Sequence, residues 1–237
     1  MRLIGFSTGA IAKGDYRHAL ELMAPFGLPV VELSALRLHE LPRLAEEAAS
    51  LDLARYRYIS VHAPSCFQPE DEQNVVTLLD RLVARGWPIV VHPDVIFTDA
   101  LWVPFGDKLL IENTDKRKSV GRTASELEAL FGRFRDARFC FDVGHARQVD
   151  PTMNEAYLIL RENRNRLCQI HLSEVNFFSR HDPLSAAAVE ASRRIAHLIP
   201  EDVPVILETL IDQGQSTIDA EVRRASQALR ATIPVAV

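Results

Sequence analysis

The 237-residue sequence is informative first for what it has little of. Three cysteines, Cys66, Cys140 and Cys168, are too few and oddly numbered for a disulfide framework, and without a C-x-x-C pair a cysteine zinc site is not expected. No run approaches the roughly 18 consecutive apolar residues that a membrane span needs. The opening Met1-Arg2-Leu3-Ile4-Gly5-Phe6-Ser7 reads as a strand rather than a targeting segment. A cytoplasmic protein without membrane contact is therefore expected. Charge of one sign is lacking as well: 27 basic against 32 acidic residues leave a net charge of −5, which argues against blanket attraction to nucleic acid. Neither G-x-G-x-x-G nor a P-loop follows the first strand, where Ser7-Thr8-Gly9-Ala10 has a single glycine, so a doubly wound nucleotide-binding sheet is disfavoured. Linkers and low-complexity tracts that would divide the chain are missing too.

What is present is a rhythm. Short β-rich runs at 3–7, 29–33, 58–62, 89–92, 108–112, 138–142, 167–171 and 203–208 alternate with amphipathic stretches. The spacing of Ala19, Leu20, Leu22 and Met23 predicts a helix over 15–25, and that of Val75, Val76, Leu78, Leu79, Leu82 and Val83 one over 71–85. Thr123-Ala-Ser-Glu126 reads as a capping box opening a helix over 126–134, and Ser216 or Thr217 as the cap of the last helix. The stretch 98–105, with Pro104, leaves room for little more than one helical turn. Eightfold strand–helix alternation implies parallel strands with right-handed crossovers. The expected fold is a (β/α)₈ barrel spanning residues 1–237 as one α/β domain, a length typical of that architecture.

Six consecutive strands run apolar and then stop on a histidine or a carboxylate: His62, His92, Glu112, Asp142 with His145 just beyond, His171 and Glu208. In a parallel barrel those ends converge on one mouth, where active sites of this architecture are built. Inward-facing imidazoles and carboxylates are costly to bury unpaired, and a divalent cation removes that cost because both are its ordinary ligands.

The run of His62-Ala63-Pro64, His92-Pro93, Glu112-Asn113-Thr114, Asp142-Val143-Gly144-His145, His171-Leu172 and Glu208 resembles the xylose isomerase-like barrel superfamily, which includes the endonuclease IV (apurinic endonuclease family 2) group and sugar isomerases and epimerases. The resemblance implies a metal core of Glu112, Asp142, His171 and Glu208. It further implies, from the endonuclease IV branch, the extra ligands His62, His92, His145 and His181. Ser179-Arg180-His181 is similar to an Asp-Arg-His motif with serine in place of the aspartate, which weakens a third metal position and leaves two ions, zinc or manganese, as the expectation beside one or three. His171-Leu-Ser-Glu174-Val-Asn176 is similar to a His-x-x-Glu-x-Asn pattern of the epimerases, but Phe177 stands where their arginine follows. Ser65 stands where the DNA-repair branch has an aromatic residue, so duplex DNA is not the favoured substrate.

Two chemistries follow. Two ions could clamp a small phosphoester and activate water, with Glu112 and Glu208 bridging, His62, His92 and His145 as terminal ligands, and Arg180, Lys116 or Arg117 against phosphate oxygens. A single ion on the four-residue core could instead drive enediolate proton transfer in a sugar, with His145 and Glu174, and Asn176 beside it, orienting substrate. The surplus of histidines favours hydrolysis; a metal- or ligand-binding barrel without turnover is the third reading. His18, His39 and His197 read as solvated helix surface, and Cys140 and Cys168 as core packing. Glu32 suits the pocket or an interior ion pair equally, and Cys66 a small loop residue near the site. Trp87, Trp102, Phe67, Phe97 and Phe105 suit either a pocket wall or helix packing.

Overall fold

The computed structural model describes residues 2–211 and 217–230. Eight parallel strands close on themselves: β1 (Ile4–Ser7), β2 (Val30–Ser34), β3 (Tyr58–His62), β4 (Ile89–Val91), β5 (Leu109–Glu112), β6 (Arg138–Asp142), β7 (Leu167–Leu172) and β10 (Val205–Leu207). Around the ring the order is β1-β10-β7-β6-β5-β4-β3-β2, the sequential winding of a (β/α)₈ barrel. Between β7 and β10 the chain adds an antiparallel hairpin, β8 (Glu174–Val175) and β9 (His181–Asp182), that the pattern of apolar runs does not predict. The eighth barrel strand is also shorter than expected. Pro204 has no N–H to donate, so the ladder to β1 begins at Val205, although the Pro204 carbonyl still accepts from Ile170 N at 3.0 Å.

Two cores result from the period-two alternation of the strands. Outward-facing Ile89, Val91, Leu109, Ile111, Phe139 and Phe141 pack under the helices in one continuous cluster. Inward-facing Val90, Leu110 and Cys140 form a small separate cluster, with the partly buried Cys168 against it. Gly5 in β1 lets the barrel close: a β-carbon there would lie 1.9 Å from the Val30 carbonyl oxygen.

Capping side chains open several of the helices. Asp15 accepts from His18 N ahead of the helix Tyr16–Met23, Thr123 from Glu126 N ahead of Ala124–Arg133, and Thr217 from Ala220 N ahead of Ile218–Ala228. Ser216 lies outside the described residues. The Glu126 carboxylate completes only half of a capping box, since it accepts from Arg122 N at 2.7 Å instead of reaching Thr123 N. After β4 the chain makes one short α-helix, Asp99–Trp102, between the 3-10 turns Pro93–Val95 and Val103–Lys108.

That thin connection is held by Glu72, at the start of the helix Glu72–Val83. One oxygen of its buried carboxylate accepts from Phe97 N at 2.7 Å, Thr98 N at 3.0 Å and Trp102 Nε1 at 2.9 Å. Burial alone would raise the pKa of this carboxyl, but the indole and the two backbone donors outweigh it and the net shift is downward. The folded pKa is depressed, so its contribution is full above the ordinary value of 4.5 and is lost as pH falls below it. Glu72→Ala is expected to cost about 3 kcal/mol of stability, because three donors lose a charged acceptor. Urea denaturation at pH 7 and pH 4 checks both parts: the deficit should be largest at pH 7 and smaller at pH 4.

Candidate metal centre

The C-terminal ends of the strands bring all eight expected metal-ligating residues to one mouth. His62 ends β3, His92 follows β4, Glu112 ends β5, Asp142 ends β6, and His171 lies in β7. His145 sits in the first turn of the helix Val143–Val149, His181 opens β9, and Glu208 follows β10. His18, His39 and His197 are exposed elsewhere.

Glu112 is the hub. Its Oε2 lies 3.2 Å from His62 Nε2 and 3.2 Å from His92 Nε2. Its Oε1 lies 3.1 Å from His171 Nδ1 and 3.5 Å from His145 Nδ1. His171 Nδ1 is also 3.4 Å from Glu208 Oε1, and His181 Nδ1 is 3.4 Å from Glu208 Oε2. Of three groups of ligand atoms among the described residues, each within 4.8 Å of one another, two share Glu112: His62, His92 and Glu112, and Glu112, Asp142, His171 and Glu208; the third, His62, His171 and Glu208, links them.

The ring nitrogens decide what these contacts mean. His62 Nδ1 is 2.7 Å from the Ala63 carbonyl oxygen, to which it must donate, so His62 Nε2 in the neutral ring turns a lone pair toward the Glu112 carboxylate. Two acceptors do not face each other at such a distance without a proton or a cation between them. His145 Nδ1 is likewise 3.0 Å from the Asn113 carbonyl oxygen, which leaves its Nε2 as the lone-pair nitrogen. Asp142 Oδ2 is buried with no hydrogen-bond partner, while the other oxygen caps the helix at His145 N. Atoms bound to one tetrahedral zinc at about 2.0–2.1 Å lie about 3.3 Å apart, close to the spacing found here. The residues fit a divalent ion.

Charge crowding points the same way. Burial would raise the pKa of the Glu112 carboxyl, but His171, His92 and His62 hold it well below the usual carboxylate range. Burial pushes Glu208 well above that range, and repulsion from Glu112, Asp142 and Glu32 adds to the push against His171. Burial lowers His92, and His62 and His145 add to the shift. Burial and His145 push His181 down to about 4, so at neutral pH its ring is uncharged and able to ligate. One carboxyl forced to keep its proton beside a neighbour forced to lose one is an arrangement that a divalent cation relieves.

Beneath the mouth a polar string fills the barrel axis. His171 Nε2 lies 3.1 Å from Glu32 Oε2, which also accepts from Ser60 Oγ at 3.0 Å and Gln169 Nε2 at 2.7 Å. Tyr58 donates its hydroxyl to Gln169 Oε1 at 2.8 Å. Glu32 is thus the interior partner of His171 and does not line the cavity. His171 Nε2 also lies 2.8 Å from Gln169 Nε2, so Glu32 and Gln169 together position the ring whose Nδ1 faces Glu112 and Glu208. Ser60, Gln169 and Tyr58 were not singled out in the sequence. The signal was there, because Ser60 and Gln169 stand two residues before His62 and His171 and so share their inward face. Glu32→Gln is expected to weaken metal binding by about 10–100-fold, the usual cost of losing such a supporting carboxylate. Competition against a chelator measures it.

The cavity above these groups has a volume of about 820 Å³ and is bordered by Arg117, Arg180, Lys13 and Lys118 together with the exposed Cys66. Three expected substrate-binding residues are not on its wall. Glu174 is held by Arg147 Nη1 and Ser185 N, both at 2.9 Å. Asn176 donates to Asp182 Oδ2 at 2.8 Å and accepts from Phe178 N and Arg180 N, so it builds the hairpin turn. Lys116 lies over the exposed Phe177 ring at 3.9 Å. The aromatic wall considered from the sequence is absent from the cavity lining as well: Trp102 and Phe105 are core, Phe67 packs on Phe97, and Trp87 lies at the opposite end of the barrel. Ser179, where the resemblance has an aspartate, donates its hydroxyl to Asp115 Oδ1 at 3.1 Å and accepts from Gln148 Nε2 at 2.9 Å.

Comparison with solved structures places this architecture. Endonuclease IV from Thermus thermophilus superimposes with a TM-score of 0.60 over 95% of this chain and 97% of that one, at 20% identity. The chain shares the barrel fold of that structure. A dipeptide epimerase from Methylococcus capsulatus, solved with a magnesium ion, matches with a TM-score of 0.50 at 15% identity, over 81% of this chain and 51% of that one. No protein-family model matches the sequence, and no curated protein matches it. Among the described residues no helix is long and apolar enough to cross a membrane.

Proposed function

We propose that this chain is a metal-dependent hydrolase of small phosphoesters, with two divalent ions, zinc or manganese, which two ligand groups that have Glu112 in common would hold. The observation that carries the reading is the division of Glu112 between two ligand groups, Oε2 toward His62 and His92 and Oε1 toward His171 and the remaining carboxylates. A single-ion centre has no use for His62 and His92 there. When bound, an ion pair makes water a nucleophile at neutral pH and draws charge from the ester.

The chain's own residues do the rest. His62 and His92 hold one side, and Asp142, His171 and Glu208 the other. His145, whose Nδ1–H is tied to Asn113, presents Nε2 as a ligand or proton acceptor. Glu208 is the core carboxylate nearest the opening and lines the cavity; once a cation relieves the crowding that holds its proton, it would be placed to receive one from the attacking group. His181 borders the same edge. Ser179, occupied by Asp115 and Gln148, gives no carboxylate to a third ion. A cytoplasmic enzyme acting on a small molecule rather than duplex DNA fits a cavity without stacking aromatics.

The second reading, proton transfer in a sugar, has in its favour that Glu112, Asp142, His171 and Glu208 form a complete set by themselves. Its proposed orienting groups, Glu174 and Asn176, are however engaged within the hairpin. Incubating zinc- or manganese-loaded protein with a panel of small phosphomonoesters and phosphodiesters, and in parallel with sugars in deuterated water, separates the two. Released phosphate or alcohol supports hydrolysis, deuterium in recovered sugar supports the alternative, and the second outcome without the first overturns the proposal.

A further inference from the structure

Four cations border the mouth, and they are not alike. Arg117 pairs with Asp115 at 3.1 Å and Lys118 with Asp94 at 2.8 Å. Lys13 and Arg180 have no carboxylate partner among the described residues. Both flank the segment after β10, where Leu210 N donates to the His181 carbonyl at 3.2 Å and Ile211 N to the Ala10 carbonyl at 3.1 Å. In the ring order this edge lies across the mouth from β3 and β4, which carry His62 and His92.

Lys13 is also strained. Its backbone has φ 53 and ψ −124, and Asp15 N donates to the Ala12 carbonyl at 3.1 Å, which makes residues 12–15 a type II′ turn with Lys13 at its first central position. That position favours glycine, because a β-carbon is crowded at such a φ. Glycine takes the same angles at Gly106, away from the mouth, with φ 54 and ψ −124, while Met153 at φ 66 and Ser179 at φ 54 are the other non-glycine residues at positive φ among the described residues. Here the glycine is displaced to Gly14 and a lysine occupies the strained position, exposed and with no side-chain ion pair among the described residues to offset the strain. What the lysine does supply is an ammonium overlooking the cavity.

We propose that Lys13 and Arg180 form an anion grip on the Glu208 edge of the mouth, which holds a second oxyanion group, phosphate or carboxylate, of the small substrate. This deepens the hydrolase reading by making the substrate doubly anionic, with the reacting ester over the metal ligands and the other group at the rim. Inorganic phosphate and, separately, acetate titrated calorimetrically into the full chain, metal-free and zinc-loaded, test it. Lys13→Gly should raise the melting temperature by relieving the turn while weakening phosphate binding about tenfold, the worth of one charged hydrogen bond. Lys13→Arg should keep the affinity, Arg180→Gln should lower it about tenfold, and zinc content should not change in any variant. Acetate following the same pattern widens the grip to carboxylates, and acetate failing to bind confines it to phosphate. Phosphate affinities unchanged by both Lys13→Gly and Arg180→Gln, or no phosphate binding to the unsubstituted chain, overturn the proposal. The metal-free titration reads the rim alone, so a chain that takes up no zinc defeats the hydrolase reading and leaves the grip to stand or fall separately.

Discussion

Glu112→Gln is expected to empty the centre of both ions. The carboxylate turns one oxygen to each ligand set, and the amide that replaces it carries no charge and offers one acceptor in place of two. Elemental analysis should find almost no metal after dialysis, and hydrolysis should fall at least about a thousandfold, roughly 4 kcal/mol of lost transition-state stabilisation. The substitution also bears on the metal-free fold. Burial would lower the pKa of His171, but its neighbours, the carboxylates of Glu208, Glu32 and Glu112 among them, hold it well above the ordinary value, and Glu112 likewise raises His62 against burial. Removing that counter-charge leaves the buried cations with Glu32 as their remaining close carboxylate inside the barrel, so the metal-free variant should be less stable by about 3 kcal/mol. Denaturant unfolding in the presence of a chelator reads this independently of activity. A variant that keeps two ions would show that Glu112 does not bridge.

The second large effect is expected at the other end of the hub. Replacing His62 and His92 together by alanine removes both nitrogens facing Glu112 Oε2 and leaves the Glu112–Asp142–His171–Glu208 set intact. One ion per chain should remain, and phosphoester hydrolysis should drop by about a hundredfold or more, since the chemistry that a second ion would supply is then lost. The outcome discriminates between chemistries. A single-ion proton-transfer enzyme would retain its metal count and most of its rate in this double variant, because neither histidine belongs to its four-residue set. Retained hydrolysis at full rate would contradict the two-ion reading.

Much of this was legible in the sequence, and the reasons are specific. The barrel strands announce themselves because each is a short apolar run in which most residues are buried on either face, and β3 and β6 match their expected bounds of 58–62 and 138–142 residue for residue. The mouth is legible because a polar residue at the end of such a run has little choice of direction. Residues whose place depends on a turn were harder. The β8–β9 strands have two residues each, too few to show a period, and so the hairpin that carries His181 and engages Glu174 and Asn176 was not foreseen. A local likeness to a His-x-x-Glu-x-Asn pattern cannot tell whether a glutamate faces the cavity or, as here, Arg147. The turn at Lys13 is written only as a Lys-Gly pair, and the positive φ that singles it out exists only once the chain is folded. Glu32 stood evenly between the pocket and an interior pair. Its partner, His171, lies in β7, beyond β1 and β10 around the ring, and the barrel must close before they meet.

The most direct test is a count of metal ions per chain in protein purified after growth in medium supplemented with zinc and manganese, by elemental mass spectrometry against an amino-acid-analysis concentration. A centre bridged by Glu112 gives two ions per chain in the unsubstituted protein. One ion would confine the chemistry to the four-residue set and contradict the bridged pair, and a metal-free chain would contradict the centre altogether.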